Sequence, residues 1–364
     1  DLAVQASRIP ELRVGTMGRG GGYSSRLPFP QYNFDERDQW GEEHLERNWK
    51  DFARGSHGVV MTIWDASRLG WFAQPRMGGR LEEFLKLGWF KRWGYVPVDA
   101  PGIGGRLGGL MRETLQGFDR VLAYTLFGKQ VLEETLQKPV EWAPHGFDGD
   151  VFKPGEKISG RMALGVGEED VVVGCVMTNQ ARKDWATAMG AIAWLKNAIP
   201  NLKLWAHVDT PRRYWDIFAL IEDFGLANSV VVTYSGQYNS KQLAVMYSAC
   251  DVTMLPSLGE GWGFPITESL ACGVPCIHGA YGGGAEQLPT RDWLVEPTTE
   301  RLDGMWNLVR PVWDPKRWAG KIQQVLEEID ENTAKFCMQS IEHLEWKKLW
   351  PSVWERWFKE GVGL

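Results

Sequence analysis

Apolar runs of five to seven residues recur along the chain. Between them lie stretches with apolar positions every three or four residues. GVVMTIW (58–64), DRVLAYT (119–125) and PVEWAPH (139–145) read as buried strands, with an amphipathic helix after the second running through Leu136. The stretch FDGDVFKPGEKISG (147–160) breaks the pattern with turn residues and reads as a connection between domains. Alternation then resumes. Strands are expected at VVVGCVM (171–177), LKLWAHV (202–208), SVVVTYS (229–235), DVTMLPS (251–257) and PCIHG (275–279), with helices at 184–198, 211–225, 240–249 and 265–272. Val- and Ile-rich strands separated by helices imply parallel sheets covered on both faces. The expectation is a two-domain α/β protein with its ligand site in the cleft between the sheets.

Length and composition agree with this picture. The 364 residues leave room for two domains, and 44% apolar with 24% charged residues is a globular balance. A net charge of −6 argues against a dedicated nucleic-acid binder. Residues 1–160 carry 21 basic and 21 acidic side chains, so the whole excess of acid lies in the second part, as two distinct domains would allow. No apolar run approaches a membrane span and no secretory leader pattern is present, so a cytoplasmic location is expected. The five cysteines are few and unclustered. Cys272 and Cys276 lack a second ligand pair, so neither a disulfide framework nor structural zinc is expected. The run GIGGRLGG (102–109) misses the dinucleotide-binding spacing.

The segment 250–289 carries the chemistry. Glu260 follows the carboxyl end of a strand, where ligands bind in open α/β sheets. Gly261, Trp262 and Gly263 form a turn, and Pro265 suits the first turn of the next helix. Free amides near Phe264 would then make an anion site at that helix start. Glu268, one turn in, can accept two hydrogen bonds from a vicinal diol such as a ribose. Alone it would merely complement the helix dipole, but strand, glycine turn, helix and second strand all accompany it.

EGWGFPITE (260–268) resembles the Glu–x(7)–Glu motif of retaining glycosyltransferases of the GT-B fold, family 4 in particular. MYSACDVTMLPS before it, ACGVPCIHG and GGGAEQL after it, APHGFDGDVFKP (143–154) and TNQARKDWATAM (178–189) are similar to the family's other segments. The resemblance covers most of residues 95–330. It implies two Rossmann-like domains: an acceptor-side domain over 1–160, a nucleotide-sugar domain over 161–344, and a tail helix over 345–364 crossing back. It further implies a retaining transfer without metal or other cofactor, from a nucleotide sugar to a carbohydrate or lipid-linked hydroxyl acceptor. A UDP-sugar is favoured and GDP-mannose is the second choice. Arg182 and Lys183 would clamp the diphosphate, Glu260 would face the donor sugar, and Glu268 would hold the ribose. The amides of Gly261 to Phe264 would meet phosphate or sugar, with Asn179 in the basic loop and Gly236 to Tyr238 at the base. An epimerase of the same fold and a non-catalytic nucleotide or sugar binder are the alternatives.

Several features depart from that pattern. Thr178 stands where many members have a second arginine. The usual opening strand, glycine loop and long helix are not evident. Either Gly20 to Gly22 are the acceptor-side loop, or residues 12–18 are the second strand and the first strand and helix are absent, which is the favoured reading. No acceptor-side histidine stands out. Instead WGYVPVDAPG places Asp99 at the cleft mouth, and Asp65 ends GVVMTIW likewise. Either can orient an acceptor hydroxyl, and either can cap a helix. Asp148-Gly149-Asp150 lies in the linker segment, where a metal role is not expected. Residues 81–95 read as a basic aromatic helix, open to a peripheral contact at the inner membrane face but more simply packed on the sheet. Finally, 20 tryptophans are present. Trp346, Trp350, Trp354 and Trp357 share one helical face and read as an interdomain adhesive, leaving Trp262 as the one indole placed to meet a donor.

Overall fold

The computed structural model describes residues 2–19, 27–34, 37–38 and 41–363. Gly20 to Gly22, candidates for a glycine loop, lie outside the described residues. Thr16–Arg19 (β1) and Gln31–Phe34 (β2) pair in parallel as a separate two-stranded ribbon.

Gly58–Ile63 (β3), Phe90–Val96 (β4), Arg120–Ala123 (β5) and Glu141–Trp142 (β6) form a four-stranded parallel sheet in sequence order. The segment read as a strand over 139–145 pairs only through Glu141 and Trp142, because Pro139 and Pro144 flank it without N–H donors. After it come Val171–Val176 (β7), Leu202–Val208 (β8), Val230–Tyr234 (β9), Val252–Leu255 (β10), Cys276–Gly279 (β11) and Leu294–Val295 (β12). They build a six-stranded parallel sheet of order β12-β11-β10-β7-β8-β9. Its interior strands are buried along nearly their full length, as their unbroken apolar runs require. Thr299–Asp303 (β13) and Leu308–Val312 (β14) add an antiparallel hairpin that periodicity did not reveal.

Helix starts follow local chemistry. Asp184 and Thr125 accept backbone N–H bonds at the heads of Trp185–Leu195 and Leu126–Leu136. Asn239 and Gln242 form a capping box for Ser240–Tyr247. The helix expected over 211–225 begins only at Ile217. Asp216 takes the N–H groups of Phe218 and Ala219, and residues 212–216 are held in a turn before it.

The reading of 81–95 as one basic aromatic helix is corrected. A helix over Arg80–Lys86 ends near Gly88, which has positive φ, and Phe90–Val96 is an inner strand between β3 and β5. Phe84 and Trp93 are buried, so no continuous basic and aromatic face exists for a membrane. Among the described residues no helix is long and apolar enough to cross one.

The tail packs on the four-stranded sheet. Trp346, Trp350, Trp354 and Trp357 are all buried. Trp354 donates its indole N–H to the Pro144 carbonyl at 2.9 Å and meets Tyr95 edge-on at 5.0 Å. The Arg120 guanidinium lies 3.6 Å from the Trp357 ring centre. A π-helical turn over Trp350–Trp354 interrupts the helix. Pro351 within it has no N–H and cannot close a regular α-turn, and the wider turn accommodates it. Truncating fully buried Trp354 to alanine is expected to destabilise the fold by about 3–5 kcal/mol. Urea unfolding followed by far-UV circular dichroism measures this; a loss within the scatter of surface substitutions would contradict the tail's structural role.

Candidate active site

Two loops meet where the sheets face each other. One leaves β7 and carries Arg182 and Lys183; the other leaves β10 and carries Ser257 to Gly263. They are fastened backbone to backbone, with Leu258 N–H donating to the Arg182 carbonyl at 2.7 Å. Gly259 has φ +153°, and a Cβ there would stand 2.0 Å from the carbonyl oxygen of Asp99, so only glycine lets the β10 loop approach the end of β4.

That approach assembles an ion-pair network. Lys183 Nζ binds Glu260 Oε1 in a very short contact, and Arg182 Nη1 sits 3.2 Å from Glu260 Oε2. Arg182 Nε reaches Asp99 Oδ2 at 3.2 Å, while its Nη1 also donates to the Gly259 carbonyl at 2.9 Å. Arg310 of β14 completes the set, with Nη2 3.3 Å from the same Asp99 oxygen. Burial alone would raise the Glu260 pKa, but Lys183 and Arg182 outweigh it and hold the carboxyl well below the usual range. Burial and the adjacent Arg182 lower Lys183 to about 8 despite Glu260. The arginine is pushed the other way: burial opposes its charge, yet Glu260 and Asp99 raise its pKa. The pair is therefore charged at neutral pH.

Gly263 adopts φ +91° at the head of the helix Phe264–Ala271, with Pro265 in its first turn. Among the described residues the N–H groups of Gly261 through Phe264 have no acceptor, so the helix start offers unpaired donors. Glu268 lies one turn inside. Tyr247 donates to its Oε2 at 2.8 Å, and burial raises its pKa to about 7.

The structure thus brings Arg182, Lys183, Glu260 and Asp99 together, with Glu268 on the adjoining helix. Two expectations change. Trp262 is 6% exposed and packs edge-on against His145 at 5.6 Å, so its indole is part of the packing between the two halves and not a face open to a donor. Asn179 spends its side chain on the 210–215 loop, donating to the Thr210 and Trp215 carbonyls and accepting from the Tyr214 and Trp215 N–H groups. Gly236, at φ +88°, and Tyr238 lie in the loop after β9, the Tyr238 ring 6.3 Å from His207. His145 is buried among Tyr95, Tyr124, Trp262 and Phe264, and burial lowers its pKa to about 3, so it is neutral. Asp150 pairs with Lys347 of the tail at 3.0 Å. Among the described residues no group of three His, Cys, Asp or Glu side chains is arranged to hold a metal ion.

Sequence reasoning missed Arg310 and Tyr247. Arg310 sits in a hairpin without a motif, and its partner Asp99 is 211 residues away in sequence. Tyr247 was legible only as an apolar position of a helix, although its spacing of 21 residues from Glu268 joins two neighbouring helices.

Residues 163–335 match the model of the family described as glycosyl transferases group 1. The chain is 27% identical over 281 residues to a D-inositol 3-phosphate glycosyltransferase of Segniliparus rotundus, covering 74% of this chain and 58% of that protein. It is 28% identical over 211 residues to the enzyme of the same name from Stackebrandtia nassauensis, covering 55% and 43%. The chain thus spans about half the length of these relatives. Among solved structures, sucrose-phosphate synthase from Thermosynechococcus elongatus superposes with a TM-score of 0.77 at 16% identity, over 100% of this chain and 92% of that one. Anabaena HepE in complex with UDP gives 0.64 at 15% identity, over 91% and 86%. The fold is GT-B, two Rossmann-like parallel sheets facing across a cleft, and the sequence matches support the glycosyl transferases group 1 family for the chain.

Proposed function

We propose that the protein is a retaining, metal-independent glycosyltransferase of the family 4 type, moving a hexose from a nucleotide sugar, a UDP-sugar before GDP-mannose, to a hydroxyl acceptor. The observation that carries this reading is the Glu–x(7)–Glu segment as folded. Glu260 is held by Arg182 and Lys183 at the end of β10, and Glu268 lies one turn beyond a helix start with unpaired N–H groups. The relatives' names and the UDP bound to HepE point to the same chemistry. No cofactor is required, and residues 1–160, 161–344 and 345–364 act as acceptor-side domain, nucleotide domain and crossing tail. The working location is the cytoplasm.

In this scheme the donor diphosphate sits between Arg182, Lys183 and the start of the helix Phe264–Ala271. Glu268 accepts hydrogen bonds from the ribose hydroxyls, and Glu260 faces the sugar. The loop from Gly236 to Tyr238 meets the base. The acceptor oxygen bonds to the anomeric carbon as the bond to the phosphate oxygen breaks, and the acceptor proton passes to that leaving oxygen. Cations already aimed at the leaving diphosphate stabilise its growing charge without reorganising at the moment of reaction. The two cations are not idle beforehand: each holds a carboxylate, so a diphosphate competes with Asp99 and Glu260 for the same guanidinium and ammonium groups.

Release of nucleoside diphosphate from a panel of UDP-, GDP- and ADP-sugars, with product analysis for an elongated acceptor, tests the activity. Conversion of the donor sugar without elongation would instead make the protein an epimerase, and tight nucleotide binding with an intact donor would make it a binder.

Removing the Lys183 ammonium by Lys183→Ala is expected to weaken UDP binding roughly 10- to 100-fold in calorimetry, the worth of a charge-assisted hydrogen bond. Unchanged affinity in both Lys183→Ala and Glu268→Ala would sink the site assignment.

A pH dependence follows from Glu268. Its pKa stands near 7 through burial, so below that pH the carboxyl keeps its proton and accepts ribose hydroxyls poorly. UDP affinity of the parent should fall roughly tenfold from pH 8 to pH 6 relative to Glu268→Gln, which retains the titrations of Lys183 and of the nucleotide. Parallel profiles for parent and variant would remove Glu268 from the ribose site.

A further inference from the structure

Asp99, just beyond the end of β4, is shared by two arginines from the opposite half. Its Oδ2 lies 3.2 Å from Arg182 Nε and 3.3 Å from Arg310 Nη2. Asp65, beyond the end of the neighbouring β3, is exposed, and among the described residues it forms an ion pair with neither arginine. Gly259 makes room for this meeting on both sides. A Cβ there would lie 2.5 Å from Arg310 Nη1 as well as against the Asp99 carbonyl.

The two arginines are held differently. Arg182 is a quarter exposed and sits on the short 3-10 turn Ala181–Lys183. The Arg310 side chain is buried. Its Nη1 donates to the Leu258 carbonyl at 3.3 Å, and Asp303 Oδ2 lies 4.0 Å from its Nε. Its strand is pinned on both sides. Arg301 of β13 is its partner across the hairpin, Val309 N–H donates to the Pro101 carbonyl at 2.8 Å, and the Tyr281 hydroxyl donates to the Val309 carbonyl. Arg182 can leave Asp99 by turning one side chain, whereas Arg310 leaves it only if the hairpin lifts.

Phosphate and carboxylate present the same fork to a guanidinium, so they compete for it directly. A largely buried carboxylate that loses its counter-charge is costly. An Arg182 that turned to a phosphate would strand Asp99 if no second cation stood by. We propose that Arg310 is a positioning residue that keeps Asp99 when Arg182 turns to the diphosphate, and that the Asp99–Arg310 pair sets how tightly the clamp holds a nucleoside diphosphate. The inference rests on the reading of Arg182 as a diphosphate clamp and adds to it a residue that needs no contact with the nucleotide. Asp99 is then a built-in competitor whose strength Arg310 controls. Neutralising Asp99 frees Arg182 for the phosphate. Removing Arg310 leaves Asp99 to Arg182 alone and holds the clamp back. With Asp99 neutral, the loss of Arg310 no longer matters to the clamp.

The experiment is calorimetric titration of UDP and GDP into the parent, Asp99→Asn, Arg310→Met, the double variant and Arg182→Ala. Asp99→Asn should tighten binding of the preferred diphosphate roughly three- to tenfold, and Arg310→Met should weaken it roughly tenfold. The double variant should match Asp99→Asn within about twofold, a coupling that two independent sites do not show. Simple addition of the two single effects would mean that the charges act only through the general field and overturns the proposal. A double variant as weak as Arg310→Met would mean that Arg310 is merely structural and overturns it too. Asp99→Asn is nearly isosteric, so its sign decides the matter even if Arg310→Met fails to fold: affinity equal to or below that of the parent overturns the exchange. Arg182→Ala separates this inference from the reading beneath it. Weaker binding in Arg182→Ala without a gain in Asp99→Asn removes the exchange and keeps the clamp. Parent-like affinity in Arg182→Ala, or no binding of either nucleotide to the parent, removes the clamp and the exchange with it.

Discussion

The Arg182 guanidinium is the contact on which the rest of the site depends. Its planar fork reaches Asp99 from the four-stranded sheet, Glu260 from the six-stranded sheet, and the Gly259 carbonyl between them. A guanidinium is suited to this because it stays charged and presents donors in fixed directions. Without it, Asp99 and Glu260 would each lose a counter-charge in a half-enclosed cleft. Arg310 would remain beside Asp99 and Lys183 beside Glu260, but no group would join the two carboxylates. Every other element of the cleft is arranged around that fork: the glycine that permits close approach, the lysine that shares Glu260, and the arginine that shares Asp99.

Arg182, Lys183 and Arg310 are three cations facing the two carboxylates Asp99 and Glu260. Arg310 also lies 4.0 Å from Asp303 of β13, a third carboxylate, so the network's charges balance. A diphosphate entering it would meet cations already fixed in place, with the helix start at Phe264 adding N–H donors. On the proposed reading, the donor site and the contact between the sheets share the atoms of Arg182. Arg182 cannot turn fully to a phosphate without loosening Asp99.

The sequence analysis was strongest where local pattern decides structure. The runs at 171–176 and 202–208 are buried on both faces, and such strands are apolar throughout, whereas the Val-rich run at 230–234 is a half-buried edge strand. The Glu260–Glu268 spacing was legible for a related reason, since strand end, glycine turn and helix start are all set within nine residues. It was weakest where distant segments decide. Phe90–Val96 passed for part of a helix because Lys91 and Arg92 lie at its exposed beginning, beside a true helix over Arg80–Lys86, and mimic an amphipathic face. The β13–β14 hairpin has its largely exposed first strand Thr299–Asp303 and no periodic apolar stripe. The separate fates of Asp65 and Asp99 were illegible, because both end strands in the same way. Only the approach of Arg182 and Arg310, from 83 and 211 residues further along the chain, satisfies one and leaves the other.

The tryptophans sharpen the contrast between the two ways the halves are held. Trp346, Trp350, Trp354 and Trp357 bury their rings where the tail meets the four-stranded sheet, and Trp354 is sealed completely. That contact is apolar, large and closed to solvent, so no small polar ligand competes for it. The contact through Arg182 is ionic and a quarter exposed, and a phosphate offers the guanidinium the same geometry as a carboxylate. A ligand can exchange the second contact and cannot touch the first. The tryptophan-packed tail is therefore a contact between the halves that a small polar ligand in the cleft leaves intact.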